Sequence, residues 1–333
     1  MFRPPEDRFT GCLIGQCVGD AVGFMVEGCA AAITRPYVDA ILLDGLEYHG
    51  RKGLFALGQY SDDSQLAREL IRSTVARRGF DPGDYARRVA ALFSEGRVVG
   101  GGRATAQAAA RLASGVSWQQ SGTPAPNAGN GSAMRAGPIG LMHFDDPKTL
   151  ISAAHAQGRI THADPRCSAG AVAIAGAVAL ALHDEPIRPT RFLSRLADWA
   201  GTIETTVADA LLALIDWLDL DPGDAVDPIS EVGRPDFRDP HFGISPFVTC
   251  SVVWSLYAFL RTPDDYVRAI HTAIGVGGDV DTTAAMTGAI AGARNGIAAI
   301  PPELAGRLTD QGTWGRVELE DLARRLWRLK TGV

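Results

Sequence analysis

The sequence predicts an all-α fold, a compact helical bundle, and three observations carry that prediction. Apolar residues recur at helical intervals along most of the chain, period-two alternation is scarce, and glycine repeats every fourth residue in two separate segments. In FTGCLIGQCVGDAVGF, Phe9, Leu13, Cys17 and Ala21 share one helical face, while Gly11, Gly15, Gly19 and Gly23 form a second stripe. Gly288, Gly292 and Gly296 repeat the spacing near the other end of the chain. Glycine costs a helix about 1 kcal/mol relative to alanine, so both stripes call for a reason. Small residues on one face let two helix backbones meet.

The remaining elements follow in order. DYARRVAALFSEG, SAGAVAIAGAVALALHD, RFLSRLADWAGTIETTVADALLALIDWLD, PDDYVRAIHTAIG and LEDLARRLWRLK read as helices by period or composition. YVDAILL, Tyr37 to Leu43, is the modest strand candidate. Gly, Pro, Asn and Asp mark loops at 44–59, 96–103, 121–132, 221–243 and 275–281. The stretch from Phe242 to Leu260 carries no charge and approaches the ~20 residues that span a bilayer. Gly243, Ser245, Pro246 and Thr249 nevertheless suit a loop entering a buried helix, and no flanking Lys/Arg cluster sets an orientation. A core helix is expected there.

Composition narrows the function classes. The 333 residues allow one large or two ordinary domains, and 46% hydrophobic content supports a large core. A formal net charge of -6 argues against general affinity for nucleic acid or anionic membranes, so an anionic ligand needs a local site. Cys12, Cys17, Cys29, Cys167 and Cys250 show no paired spacing, which supports neither a zinc site nor a disulfide framework. A reducing, cytoplasmic setting fits them. MFRPPEDRFT does not read as a signal peptide.

The chemistry gathers in two acidic clusters. In YSDDSQLARELIRS, Asp62 and Asp63 stand between Ser61 and Ser64 at the start of a helical run. Such a start ordinarily caps a helix. The same oxygens also suit a hard cation. Far along the chain, GVGGDVDTT sets Asp279, Asp281 and Thr282 where another loop becomes a helix. Together, Ser61, Asp62, Asp63, Asp279, Asp281 and Thr282 match the oxygen-only ligands of one or two Mg²⁺ or Mn²⁺ ions. In NAGNGSAMRAGPIGL, Gly129, Asn130 and Gly131 turn the chain with backbone N–H groups exposed, and Ser132 then caps a short helix suited to phosphate. GGGRATAQAA is a second junction of this kind. His162 in ITHADP and Glu27 in GDAVGFMVEG are further candidates, although a lone histidine is commonly a structural hydrogen-bonder and Glu27 has no nearby cation in sequence. Asp20, inside an apolar helix, needs hydrogen bonds or a cation.

Taken in order, GCLIGQCVGDAVGFMVEG, YSDDSQLA, GNGSAMRAGPIGL, THADP and GGDVDTTAAMTGAIAGA resemble the ADP-ribosylglycohydrolases, the group of the ADP-ribosyl-acceptor hydrolases and the dinitrogenase-reductase-activating glycohydrolase. The motifs run from residue 11 to about residue 293. The resemblance implies a single all-α domain over residues 1–333, an orthogonal helical bundle with a binuclear Mg²⁺ (or Mn²⁺) cleft. It implies metal ligands at Ser61, Asp62, Asp63, Asp279, Asp281 and Thr282, and a catalytic or gating role for Glu27 beside Asp62 and Asp281. ADP-ribose contacts are implied at Gly129, Asn130, Gly131, Ser132 and His162, and more loosely at Gly101 and Gly102. Ser61 and Ser64 stand where threonine is commoner, which keeps the hydroxyl. SGTPAPNA, before Gly129, lacks the aromatics that some members place beside adenine, so Phe237, Phe242 or Phe247 are candidates for stacking.

The implied reaction is hydrolysis of the bond between ADP-ribose and an acceptor, most naturally an arginine or serine side chain of a modified protein, with release of ADP-ribose. A small-molecule conjugate is the other kind of substrate. A terpenoid synthase also begins with Asp-Asp, but its D-D-x-x-D/E pattern fails here, where DDSQL ends in Leu66. An ADP-ribose-binding module or crystallin-like relative without turnover is the non-enzymatic alternative. The two intact acidic clusters favour catalysis.

Overall fold

A computed structural model describes residues 2–233 and 242–333 of the chain. Its helices follow the predicted order. α1 (Glu6–Phe24), α2 (Ala31–Val38), α3 (Asp62–Arg77), α4 (Pro82–Ser94), α5 (Arg103–Ala113) and α6 (Gly137–His143) form the first half. α7 (Pro147–Arg159), α8 (Pro165–Ala181), α9 (Pro189–Gly201), α10 (Thr205–Ala213), α11 (Pro222–Glu231) and α12 (Val248–Arg261) continue it. α13 (Tyr266–Gly275), α14 (Val280–Asn295), α15 (Pro302–Ala305) and α16 (Arg316–Thr331) complete the fold. Among the described residues the sheet is one hairpin of β1 (Arg51–Lys52) and β2 (Phe55–Ala56). The architecture is all-α.

α1 and α14 form the axis of the molecule, and the glycine stripes are its cause. The two helices run antiparallel with small residues facing one another at every turn. A Cβ added at Gly11, Gly15 or Gly19 would stand 2.4, 2.5 or 2.2 Å from the carbonyl oxygens of Gly292, Gly288 and Ala284. At Gly23 the added atom would meet the Val280 carbonyl oxygen at 2.5 Å and Asp281 Cα at 2.6 Å. α1 is buried from Phe9 to Phe24 and α14 from Val280 to Ala293, as expected of helices apolar on all sides. This crossing sets the second acidic cluster beside the C-terminal end of α1.

Four local expectations differ from the structure. Tyr37–Leu43 is helical, ending α2 and continuing through a π-helical turn at Asp39–Leu43. Its buried residues, Tyr37, Val38 and Ile41, have helical spacing. The expected 221–243 loop begins with α11, where Ala225 and Ile229 bury one helical face. The 44–59 loop contains the hairpin, with Lys52 opposite Phe55. The long run from Arg191 breaks at Glu204, whose carboxylate accepts the Val207 N–H and starts α10.

The uncharged stretch after Phe242 is the core helix expected. α12 has 14 residues, about 21 Å at 1.5 Å per residue. Trp254 is fully buried there and donates its indole N–H to the Ala273 carbonyl at 3.1 Å. Among the described residues, no helix is long and apolar enough to cross a membrane.

Candidate metal and ADP-ribose cleft

The first acidic cluster does not cap its helix. Ser61 occupies the cap position of α3, and its hydroxyl accepts the Asp63 N–H at 3.3 Å. A second acceptor comes from α1, where Asp20 takes the N–H of Ser61 at 2.9 Å and of Ser64 at 3.0 Å. These bonds account for the buried Asp20 carboxylate. They also release Asp62 and Asp63 from capping. Both are buried, and the Oδ2 atom of each lacks any hydrogen-bond partner. Gln16, one helical turn before Asp20, fastens the arrangement by donating to the carbonyls of Asp63 and Met134 at 3.1 and 3.0 Å.

Gly277 and Gly278 lead into the second cluster with positive φ angles of 82° and 95°. The bend brings Gly278 against Ile244, where an added Cβ would lie 2.1 Å from a carbonyl oxygen. Asp279 then accepts the Asn130 side-chain amide at 2.5 Å, and Asp281 accepts the Thr282 N–H at 2.9 Å. Carboxylate oxygens of Glu27, Asp279 and Asp281 lie within 4.8 Å of one another. Glu27 also has a cation that sequence order concealed, for Lys52 on β1 reaches it at 2.5 Å while lying over the Phe24 ring.

Glu27, Asp62, Asp63, Asp279, Asp281 and Thr282 therefore line one cleft of about 220 Å³. Cavities of about 470 Å³ beside α9 and 510 Å³ beside His271 are larger. Neither gathers comparable oxygen donors. Burial raises the carboxyl of Asp62 to about 7 and that of Asp279 to about 6. Burial likewise holds Asp63 and Asp281 well above the ordinary carboxylate range, with neighbouring acids adding to the effect. Crowded oxygen donors, two unpartnered buried carboxylate oxygens and the absence of His or Cys among them fit a hard divalent cation.

The rest of the cleft lining is polar and largely uncharged. Gly102 and Arg103 belong to it at the start of α5, where the Asp62 carboxylate accepts the Gly102 N–H. Gly100 is part of it too, whereas Gly101 turns toward Val98 and Phe93. Gly129, Asn130, Gly131 and His162 complete it. Ser132 does not cap a phosphate-facing helix. Residues Asn130–Ser132 form a 3₁₀ turn, and the Ser132 hydroxyl points inward to donate to the Cys167 carbonyl at 2.7 Å. Ser61 is buried beside Gly100, where a Cβ added to the glycine would lie 3.4 Å from Ser61 Cβ.

His162 is neutral at physiological pH, because burial and then Arg135 lower its imidazolium to about 3. Arg135 donates to the Thr161 hydroxyl at 2.8 Å, and that hydroxyl lies 2.8 Å from His162 Nδ1. The Thr161 hydroxyl and Nδ1 share one hydrogen bond, and Nε2 lies on the Gly129–Gly131 side. Sequence reading missed Arg135, although it lies inside the Gly-Asn-Gly motif segment. Of the aromatic candidates, Phe242 is exposed, Phe247 packs against Arg166, and Phe237 lies outside the described residues.

Comparison with known proteins follows the same lines. The ADP-ribosylglycohydrolase family model matches residues 2–332. The chain is 32% identical to the ADP-ribosylhydrolase ARH3 of Gallus gallus, over 90% of this chain and 88% of that one. It is 25% identical to the ADP-ribosyl-[dinitrogen reductase] glycohydrolase of Rhodospirillum rubrum, over 89% and 88% of the two chains. A solved ADP-ribosylglycohydrolase-related protein complex superposes with a TM-score of 0.72 at 27% identity, covering 98% of each chain. With its whole length matched and its acidic motifs folded into one cleft, the chain belongs to the ADP-ribosylglycohydrolase family.

Proposed function

We propose that this protein is a divalent-metal-dependent hydrolase that cleaves the glycosidic bond between ADP-ribose and an acceptor, releasing free ADP-ribose. The observation that carries the reading is the convergence of Asp62 and Asp63 with Asp279, Asp281 and Glu27 in one cleft. The acceptor we favour is an arginine or serine side chain of a modified protein, with a small-molecule conjugate as the other source. Family membership and the two named glycohydrolase relatives support this class of substrate.

Asp62, Asp63, Asp279, Asp281 and Thr282 would hold one or two Mg²⁺ ions, or Mn²⁺, with Ser61 contributing its remaining lone pair. Bound there, the metal would supply fixed positive charge and a water of lowered pKa. The chain's own groups do the rest. Arg103, at the start of α5, would offer a cation to the diphosphate, together with the remaining N–H groups of the helix N-terminus. The His162 imidazole and the Gly129–Gly131 turn would hold the ligand beside it. Holding the ribose against the carboxylate wall removes orientational freedom before an oxocarbenium-like state forms. Glu27, steadied by Lys52, is positioned to take or return the proton of the leaving group or water. The five free cysteines, four of them buried, suit a reducing compartment such as the cytoplasm.

The test is release of ADP-ribose from defined ADP-ribosyl-arginine and ADP-ribosyl-serine peptides, with Mg²⁺ or with EDTA. Release from one peptide that EDTA abolishes supports both the chemistry and the acceptor. Tight ADP-ribose binding without release from either would favour a binding module. Absence of both binding and release would overturn the reading.

A further inference from the structure

The cleft, at about 220 Å³, is smaller than the ~300–1,000 Å³ usual for a small-molecule site. A ligand of dinucleotide size must therefore run past its edge. A second groove of about 580 Å³, starting two residues past His162, is bordered by Ala125, Asp164, Arg166, Glu204 and Thr206. Arg166 supplies a rigid plane there. Its Nε and Nη2 donate to the two carboxylate oxygens of Asp164 at 3.0 and 2.7 Å. One face lies over the Phe247 ring, with Cζ 5.5 Å from the centroid, within reach of a cation–π contact. The side chain is 18% exposed.

This plane is tied to the cleft wall. Phe247 pairs with Gly129 in an antiparallel bridge, and the Val248 N–H donates to the Ala128 carbonyl at 2.9 Å. The platform thus stands at a fixed offset from the Gly-Asn-Gly turn. Residues 121–128 contain no aromatic side chain, and the Phe247 face that could have served is covered by Arg166. A guanidinium pinned at its edges accepts a planar ring on its open face.

We infer that Arg166 is the base platform of this protein: the adenine of ADP-ribose rests on the outward face of its guanidinium, with Phe247 beneath. The inference rests on the ADP-ribose reading of the cleft. It makes Arg166 a determinant of affinity for the nucleobase, separate from the groups that hold the ribose and phosphates.

Isothermal titration in Mg²⁺ of ADP-ribose and of ribose 5-phosphate, which lacks the base, into wild type, Arg166→Ala and Arg166→Lys tests it. Arg166→Ala should weaken ADP-ribose binding by about tenfold or more, as expected for loss of one stacked base. Arg166→Lys should fail to restore it, because an ammonium has no plane. Ribose 5-phosphate should bind all three proteins equally. Unchanged ADP-ribose affinity in Arg166→Ala overturns the platform, as does full affinity in Arg166→Lys or an equal loss for both ligands. A wild type that binds no ADP-ribose overturns the functional reading itself, and the platform with it.

Discussion

The carboxylate of Asp20 accepts the backbone N–H of Ser61 at 2.9 Å, and its other oxygen takes that of Ser64 at 3.0 Å. A side chain on α1 thereby does for α3 what Asp62 and Asp63 would otherwise do. The two acids at the head of α3 keep free oxygens and share one cleft with the second cluster.

Replacing Asp20 should therefore damage fold and site together. Asp20→Ala leaves two buried N–H groups without this acceptor, at about 1–3 kcal/mol each, and lets the head of α3 drift. Chemical denaturation should report the loss of stability, and metal titration a weakened site. Asp20→Asn, which keeps one acceptor oxygen, should fall between Asp20→Ala and wild type.

Asp63→Asn should have the opposite effect on stability. Its carboxylate is buried and repelled by Asp20, Asp281, Asp62 and Asp279, so removing the charge should hold or raise the melting temperature of the metal-free protein. The further rise on adding Mg²⁺, present in wild type, should shrink or vanish. A variant that melts lower without metal would show Asp63 serving the helix rather than an ion.

The α1–α14 crossing predicts a gradient along the glycine stripe. Gly11→Ala and Gly23→Ala both force backbone apart, a change that typically costs about 1–3 kcal/mol. At Gly23 the added methyl would meet Asp281 Cα at 2.6 Å, whereas at Gly11 it meets Gly292 and Gly296, at the far end of the crossing. Metal affinity should fall more in Gly23→Ala than in Gly11→Ala at comparable loss of stability.

His162 carries a pH signature. Its folded value, about 3, lies below the ordinary 6.5, so the unfolded chain takes up the proton first. Its contribution to stability is present above pH 6.5 and is lost as pH falls toward 3. Against His162→Gln, wild type should lose up to about 3 kcal/mol more between pH 7 and pH 4. Denaturation curves across that range would show the divergence, and parallel curves would mean that His162 titrates in the native protein as it does in the unfolded chain.

Much of this was legible because its signals are local. The helical periods, both glycine stripes and the acids at the two helix starts lie within single segments, and they marked both the axis and the clusters it unites. What escaped depends on tertiary placement. Lys52 reaches Glu27 from a hairpin inside an expected loop, and no spacing links the two. Ser132 has the sequence of a cap, but the chain turns it toward Cys167. Gly100 and Gly101 are indistinguishable in GGGRAT until folding directs Gly101 toward Val98 and Phe93. Tyr37–Leu43 is short and apolar, so its period could not separate strand from helix.

Equilibrium binding of Mn²⁺ to wild type, Asp62→Ala and Asp281→Ala tests most directly whether the distant acidic clusters make one metal centre. Wild type should bind up to two ions, and either substitution, on α3 or on α14, should lower stoichiometry or affinity sharply. A wild type that binds none, or an Asp62→Ala protein with wild-type binding, would contradict a shared centre.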